Sequence, residues 1–242
     1  KQLQAEGVGV AIVDAISNED LKTLGPALKK MPLITAGSGV AIGLPANWNL
    51  HASASAAALP KATGHQAIVS GSCSIATQGQ VAHYQSLGLP SWQFKPLSWS
   101  SHDVPAQIKS QVAQALAWAE PLLGKGPVLI YATTDADTLQ QVQAKFGREQ
   151  AGEWMESALA QVSVGLLKLG VKQWVIAGGE TSGACVQALN ISQMQIGPQI
   201  DPGVPWCYAP QHAAGHLTLK SGNFGTPDFF TKALKLLSET CA

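Results

Sequence analysis

Three stretches place glycines and small hydroxyl residues where an apolar run stops. The first is S-G-S-C-S, with Ser70, Gly71, Ser72, Cys73 and Ser74. The second is G-G-E-T-S-G, with Gly178, Gly179, Glu180, Thr181, Ser182 and Gly183. The third is K-S-G-N-F-G, opened by Lys220, Ser221 and Gly222. Glycine lets a backbone approach a ligand closely and adopt positive φ. A helix start presents unsatisfied N–H groups and the positive end of the helix dipole. Serine and threonine hydroxyls add further donors. Together these parts make a phosphate site. A short connection that merely caps a helix uses the same residues, so each turn read alone leaves both readings open. Neither G-x-x-x-x-G-K-[ST] nor a well-placed G-x-G-x-x-G is present.

Other polar residues carry two readings each. Lys220 is a charge partner for phosphate or an ordinary strand-end lysine. Glu180 meets a ribose hydroxyl or a metal-bound water, or it is a favourable acid at a helix start. Asp201 is a ligand group or the turn-former before Pro202 and Gly203. Thr77 and Gln80 face the same cleft as the first turn or form a polar helix face. The six histidines lack metal-ligand spacing, and no protein-held metal site is expected. A hydrolase built on Ser72 or Cys73 is a weaker alternative, because position 74 is Ser and G-x-S-x-G fails.

The elements that would position these turns alternate between strand and helix. Short strands are expected at 67–70, near Trp92 and Phe94, and at 126–132, 172–177 and 216–220. Helices are expected at 73–87, 104–123 and 182–190, with one or two over 135–170 broken near Gly147 or Gly152. A last helix starts near Pro227, capped by Thr226. Residues 191–215 read as loop. Such alternation implies an α/β fold with a mainly parallel sheet flanked by helices on both faces. Ligands of such sheets bind at the carboxyl ends of the strands, which is where the three turns fall. Ahead of this domain, apolar runs at 8–13 and 31–36 read as strands around a helix at 18–30 that opens on a Ser17–Asp20 capping box. Residues 1–45 thus read as the remnant of a second α/β domain, 46–65 as a linker and 66–242 as the main domain.

Composition narrows the partners. Charged residues are 12% of the 242, and Lys+Arg and Asp+Glu balance at 15 each. No basic footprint for nucleic acid is present, and no apolar run reaches the roughly 18–20 residues of a membrane span. Four scattered cysteines, Cys73, Cys185, Cys207 and Cys241, read as thiols in a reducing, cytoplasmic setting. The chain starts without Met, just before an apparent internal strand, which reads as a fragment.

The wording of the turns resembles one family. G-G-E-T-S-G-A-C-V-Q-A-L, I-G-P-Q-I-D-P-G-V-P-W and L-T-L-K-S-G-N-F-G-T-P-D-F-F-T-K-A-L resemble the carboxyl-terminal nucleotide-binding domain of the four-carbon acid sugar kinases. S-G-S-C-S-x-x-T-x-x-Q resembles that domain's first glycine turn, and D-A-I-S-N-E-D-L and T-A-G-S-G-V-A-I-G-L-P the end of the family's amino-terminal domain. The resemblance implies phosphoryl transfer from ATP, with Mg²⁺, to a hydroxyl of a tetronate or 3-oxo-tetronate. It implies nucleotide contacts from Ser70 or Ser72, from the Gly178–Gly183 stretch and from Lys220 to Gly222. The family's Asp-Asp-x-Thr-Gly-Ala-like first strand does not occur in this chain, so the substrate residues and catalytic base are expected outside it. Nucleotide or sugar-phosphate binding without catalysis is the alternative. A small acid sugar is the expected partner, and a homodimer is a candidate assembly.

Overall fold

The computed structural model describes residues 2–51, 53 and 58–240. Cys241 lies outside these residues, as do 52 and 54–57 of the stretch read as a linker. The chain forms two compact units, residues 1–54 and 55–242.

The first unit holds α1 (Gln2–Ala5), α2 (Asn18–Leu28) and 3₁₀ turns at Ser38–Gly43 and Pro45–Trp48. Ser17 caps α2 as a full capping box: its hydroxyl accepts from Asp20 N, and the Asp20 carboxylate accepts from Ser17 N. Neither 8–13 nor 31–36 is a strand. A run buried on both faces needs paired neighbours, and none of the described residues before His65 forms a strand. Val10, Ile12 and Val13 are instead exposed.

The second unit is α/β. Its seven-stranded sheet runs β2 (Ser91–Gln93), β3 (Val128–Tyr131), β1 (His65–Ser70), β4 (Val171–Ala177), β7 (His216–Lys220), β6 (Val204–Tyr208), β5 (Gln195–Asp201). The first five are parallel, and β6 pairs antiparallel with both β7 and β5. Alternation along β1 explains the two cores. Ala67 and Val69 pack with α4 (Val104–Leu123), α6 (Arg148–Lys168) and α7 (Gly179–Ala188), while Ile68 packs with α3 (Ile75–Ser86) and α8 (Phe229–Thr240). Burying a side chain such as Ile68 or Val69 contributes about 1.5–3 kcal/mol. The break near Gly147 is real: α5 (Ala136–Phe146) stops there at φ 82°, and α6 starts at once.

Three expectations change. Residues 191–215 contain the β5–β6 hairpin, which the prolines disguised. Pro198 sits in the edge strand, where a missing N–H is tolerated, and Pro205 pairs beside register shifts. The helix expected at 182–190 begins at Gly179. Residues 58–64 are tied to the second unit, since Gln195 Nε2 donates to the Ala58 carbonyl and His216 Nε2 lies 3.0 Å from the Pro60 carbonyl.

Candidate functional site

β1 and β4 are neighbours whose continuations part. The chain leaves β1 through α3 on one face, and it leaves β4 through α7 on the other, toward the opposite edge. This is the switch point at which open α/β sheets form a crevice. The first and second glycine turns are its walls. They are laced together, because Gly71 N and Ser72 N both donate to the Ala177 carbonyl, at 2.9 and 3.3 Å. Thr181 fills the space between them. A Cβ on Gly71 would stand 2.2 Å from Thr181 Oγ1; one on Gly178 would stand 2.8 Å from that atom and 3.2 Å from Ser72 N. Gly178 also needs φ 128°, which other residues rarely adopt.

A cavity of about 680 Å³ opens beside these turns. One side is Gly71 to Cys73 and Gly178 to Thr181; the other is the α5–α6 pair, through Leu139, Val142, Met155, Glu156 and Leu159. Thr181 is only 4% exposed, and its hydroxyl bonds to nothing among the described residues. The N–H groups of Gly179, Glu180 and Thr181, the first turn of α7, likewise have no acceptor there. Three unbonded N–H groups and the Thr181 hydroxyl therefore stand beside a cavity whose far wall mixes Leu139, Val142, Met155 and Leu159 with Gln143, Arg148, Glu149, Glu153 and Glu156. That combination suits an anion attached to an apolar ring. At the rim, burial first and then the charges of Glu180 and Glu153 push the Glu156 carboxyl above the usual range.

The third turn is bound to the first rather than to the cavity. The Gly222 carbonyl accepts from Ser74 Oγ (2.5 Å), Thr77 Oγ1 (2.9 Å) and Lys220 Nζ (3.0 Å). Gln80 Nε2 donates to the carbonyls of Phe224 and Gly225. Thr77 and Gln80 are fully buried, so they are the clasp between α3 and the third turn.

The expected site residues thus separate. Ser72, Gly178, Gly179, Glu180 and Thr181 line the cavity. Ser70 lies beneath it, fully buried and 2.7 Å from Thr133 Oγ1. The Ser182 hydroxyl is buried without a partner but does not line it, and Gly183 is exposed with open space around it. Lys220, Ser221 and Gly222 do not line it either. The cradle expected from every N–H of 178–183 is narrower, because Gly178 N donates to the Lys220 carbonyl and Ser182 N to the Gly178 carbonyl. Asp201 is a clamp, accepting from Thr226 N, Thr226 Oγ1 and Lys232 Nζ. Burial would raise its pKa, but these bonds hold the carboxyl below the usual range. The last helix starts at Phe229, and Thr226, expected as its cap, donates its hydroxyl to Asp201 instead. Cys73 lines the cavity with its thiol pushed up by burial and by Asp135, the reverse of an activated nucleophile. The α5–α6 wall was not foreseen; R-E-Q-A-G-E-W-M-E carries Glu149, Glu153 and Glu156 at helical spacing, a signal indistinguishable from a solvated face.

Comparison with known proteins adds an independent line. A family model described as the nucleotide-binding C-terminal domain matches residues 67–230. The chain is 48% identical over 240 residues to the 3-oxo-tetronate kinase of Burkholderia multivorans, covering 98% of this chain and 54% of that one. It is 46% identical to the enzyme of the same description from Cupriavidus necator, covering 97% and 54%. It superimposes on a crystal structure from Haemophilus influenzae with TM-score 0.72 at 33% identity, covering 98% of this chain and 55% of that one. It spans about half the length of the curated relatives it matches.

Proposed function

Since the chain belongs to the family of the nucleotide-binding C-terminal domain, as found in the four-carbon acid sugar kinases, we propose that it binds ATP and forms the nucleotide half of a kinase for a tetronate or 3-oxo-tetronate. The observation that carries this reading is the unbonded Thr181 hydroxyl beside three free N–H groups at the switch-point cavity. In the proposal these four donors hold phosphate oxygens, and the α5–α6 wall takes the base. Glu180 and Glu156 stand near enough to each other to meet ribose hydroxyls.

In-line phosphoryl transfer is mostly positioning and charge stabilisation. The site's part is to fix the nucleotide's phosphates at the end of α7, where the helix dipole favours negative charge, and to keep them dry against the buried turn. Gly71 and Gly178 fit that task because a side chain on either would collide with Thr181 and displace it. Mg²⁺ would neutralise charge on the phosphates. No group of three metal-ligating side chains converges among the described residues, so the proposal has the ion arrive with the nucleotide. The proton acceptor for the sugar hydroxyl is not assigned to this chain.

Cys73 provides a test that locates the ligand. It is half-buried in the cavity wall, and Cys207 is half-buried elsewhere. ADP should slow maleimide labelling of Cys73 while leaving Cys207 unchanged, with both read by peptide mass. Equal labelling with and without saturating ADP would count against the site.

A further inference from the structure

Lys220 ends β7 and is fully buried, yet it belongs to no ion pair among the described residues. Its ammonium donates to Thr77 Oγ1 at 2.9 Å and to the Gly222 carbonyl at 3.0 Å. An ammonium has three N–H donors, and no acceptor for the third is found among the described residues. A cation held only by neutral oxygens is costly unless a negative charge compensates it. The titratable groups of the adjoining elements are Cys73 in the first turn, His83 and Tyr84 on α3, Lys172 on β4, Glu180 and Cys185 on α7, Cys207 and Tyr208 on β6 and His216 on β7. None of them shifts Lys220; burial alone lowers it to about 8.

The acceptors of Lys220 lead back to the cavity. Ser74 Oγ lies within hydrogen-bond reach of the same two atoms, and its one proton goes to the nearer, the Gly222 carbonyl (2.5 Å), with Thr77 Oγ1 at 3.1 Å. Ser72 Oγ donates in turn to Ser74 Oγ at 3.3 Å and accepts from Ser74 N at 3.2 Å. Ser72 lines the cavity. A continuous network therefore joins the buried ammonium to the cavity wall.

We infer that Lys220 is a positioning residue of the nucleotide site: it fixes Ser72 through Thr77, Ser74 and the Gly222 carbonyl, and the phosphates of a bound nucleotide supply the negative charge its ammonium lacks. The inference rests on the nucleotide reading above. It makes binding and protonation a linked pair. In the free chain the ammonium loses its proton as pH rises through about 8. A bound anion favours the charged form and raises that value. Binding above pH 8 must then take up a proton, and affinity falls with rising pH; below that range this group adds no pH dependence.

Titration calorimetry of the whole chain with ADP, in buffers of different ionisation enthalpy, reads both quantities. From pH 7.5 to 9 the affinity should fall about eightfold, with proton uptake approaching one per ADP. Adenosine, which lacks phosphates, should bind without proton uptake. Lys220→Met should weaken ADP about tenfold at pH 7.5 and flatten the profile, and Lys220→Arg should recover affinity with a flat profile. If these variants do not fold, proton uptake by the unaltered chain decides alone. ADP binding with a flat profile and no uptake would overturn the inference while leaving the nucleotide site intact. A Lys220→Met chain with unchanged affinity and slope would also overturn it. No ADP binding at any pH would overturn both the inference and the nucleotide reading.

Discussion

Thr181 is packed tightly against the two glycines beside it. Its hydroxyl is 2.2 Å from a Cβ position on Gly71 and 2.8 Å from one on Gly178. Gly178→Ala meets both that clash and φ 128°, a cost of about 1–3 kcal/mol. A melting scan should show a drop of roughly 2–12 °C together with weaker ADP binding. Gly183→Ala is the contrast, since its added methyl meets nothing within 4 Å on an exposed helix face. It should leave ADP affinity unchanged and raise stability by about 0.5–1 kcal/mol; a loss of affinity would restore Gly183 to the cradle. The spelling G-G-E-T-S-G marked the right turn, but it could not rank its members. Which N–H groups stay free depends on the Lys220 carbonyl reaching Gly178 N, a contact across 42 residues that no local pattern encodes.

At the scale of elements, the β5–β6 hairpin is held to α8 through Asp201. Its carboxylate takes three donors from Thr226 and Lys232. Asp201→Asn should cost about 1–3 kcal/mol at pH 7. The folded carboxyl titrates below the unfolded one, so the stability it adds is present above about pH 4 and is lost as pH falls through the folded value. The melting gap between the two chains should narrow as pH falls below about 4; a gap that stays constant through full protonation of the carboxyl would mean that packing, not charge, holds the clamp. Helices with long apolar faces, and the five parallel strands, were legible because periodicity and burial agree there. The hairpin was not, because prolines and glycines advertise a loop while an edge position and register shifts accommodate them. The opposite error occurred at 8–13, where V-G-V-A-I-V has strand composition but no described partner strand.

At the scale of the molecule, sheet order decides where chemistry can occur. The three glycine turns looked equivalent along the chain. Topology separates them: β1 and β4 part company at the cavity, while the turn after β7 is clasped to α3. The cavity's far wall comes from α5 and α6, between β3 and β4 in the chain. Its carboxylates and apolar residues become meaningful only once the connection from β3 to β4 brings those helices to the cavity.

The central claim is that an anionic nucleotide sits at the start of α7, held by Thr181. Titration calorimetry with ADP on the unaltered chain and on Thr181→Val tests it most directly. Valine keeps the shape and removes the donor, so a charge-assisted bond of about 1.5–3 kcal/mol should disappear. The account predicts ADP binding by the unaltered chain and at least tenfold weaker binding by Thr181→Val, with melting temperature unchanged. Equal affinities for the two chains, or no ADP binding by the unaltered one, would contradict it.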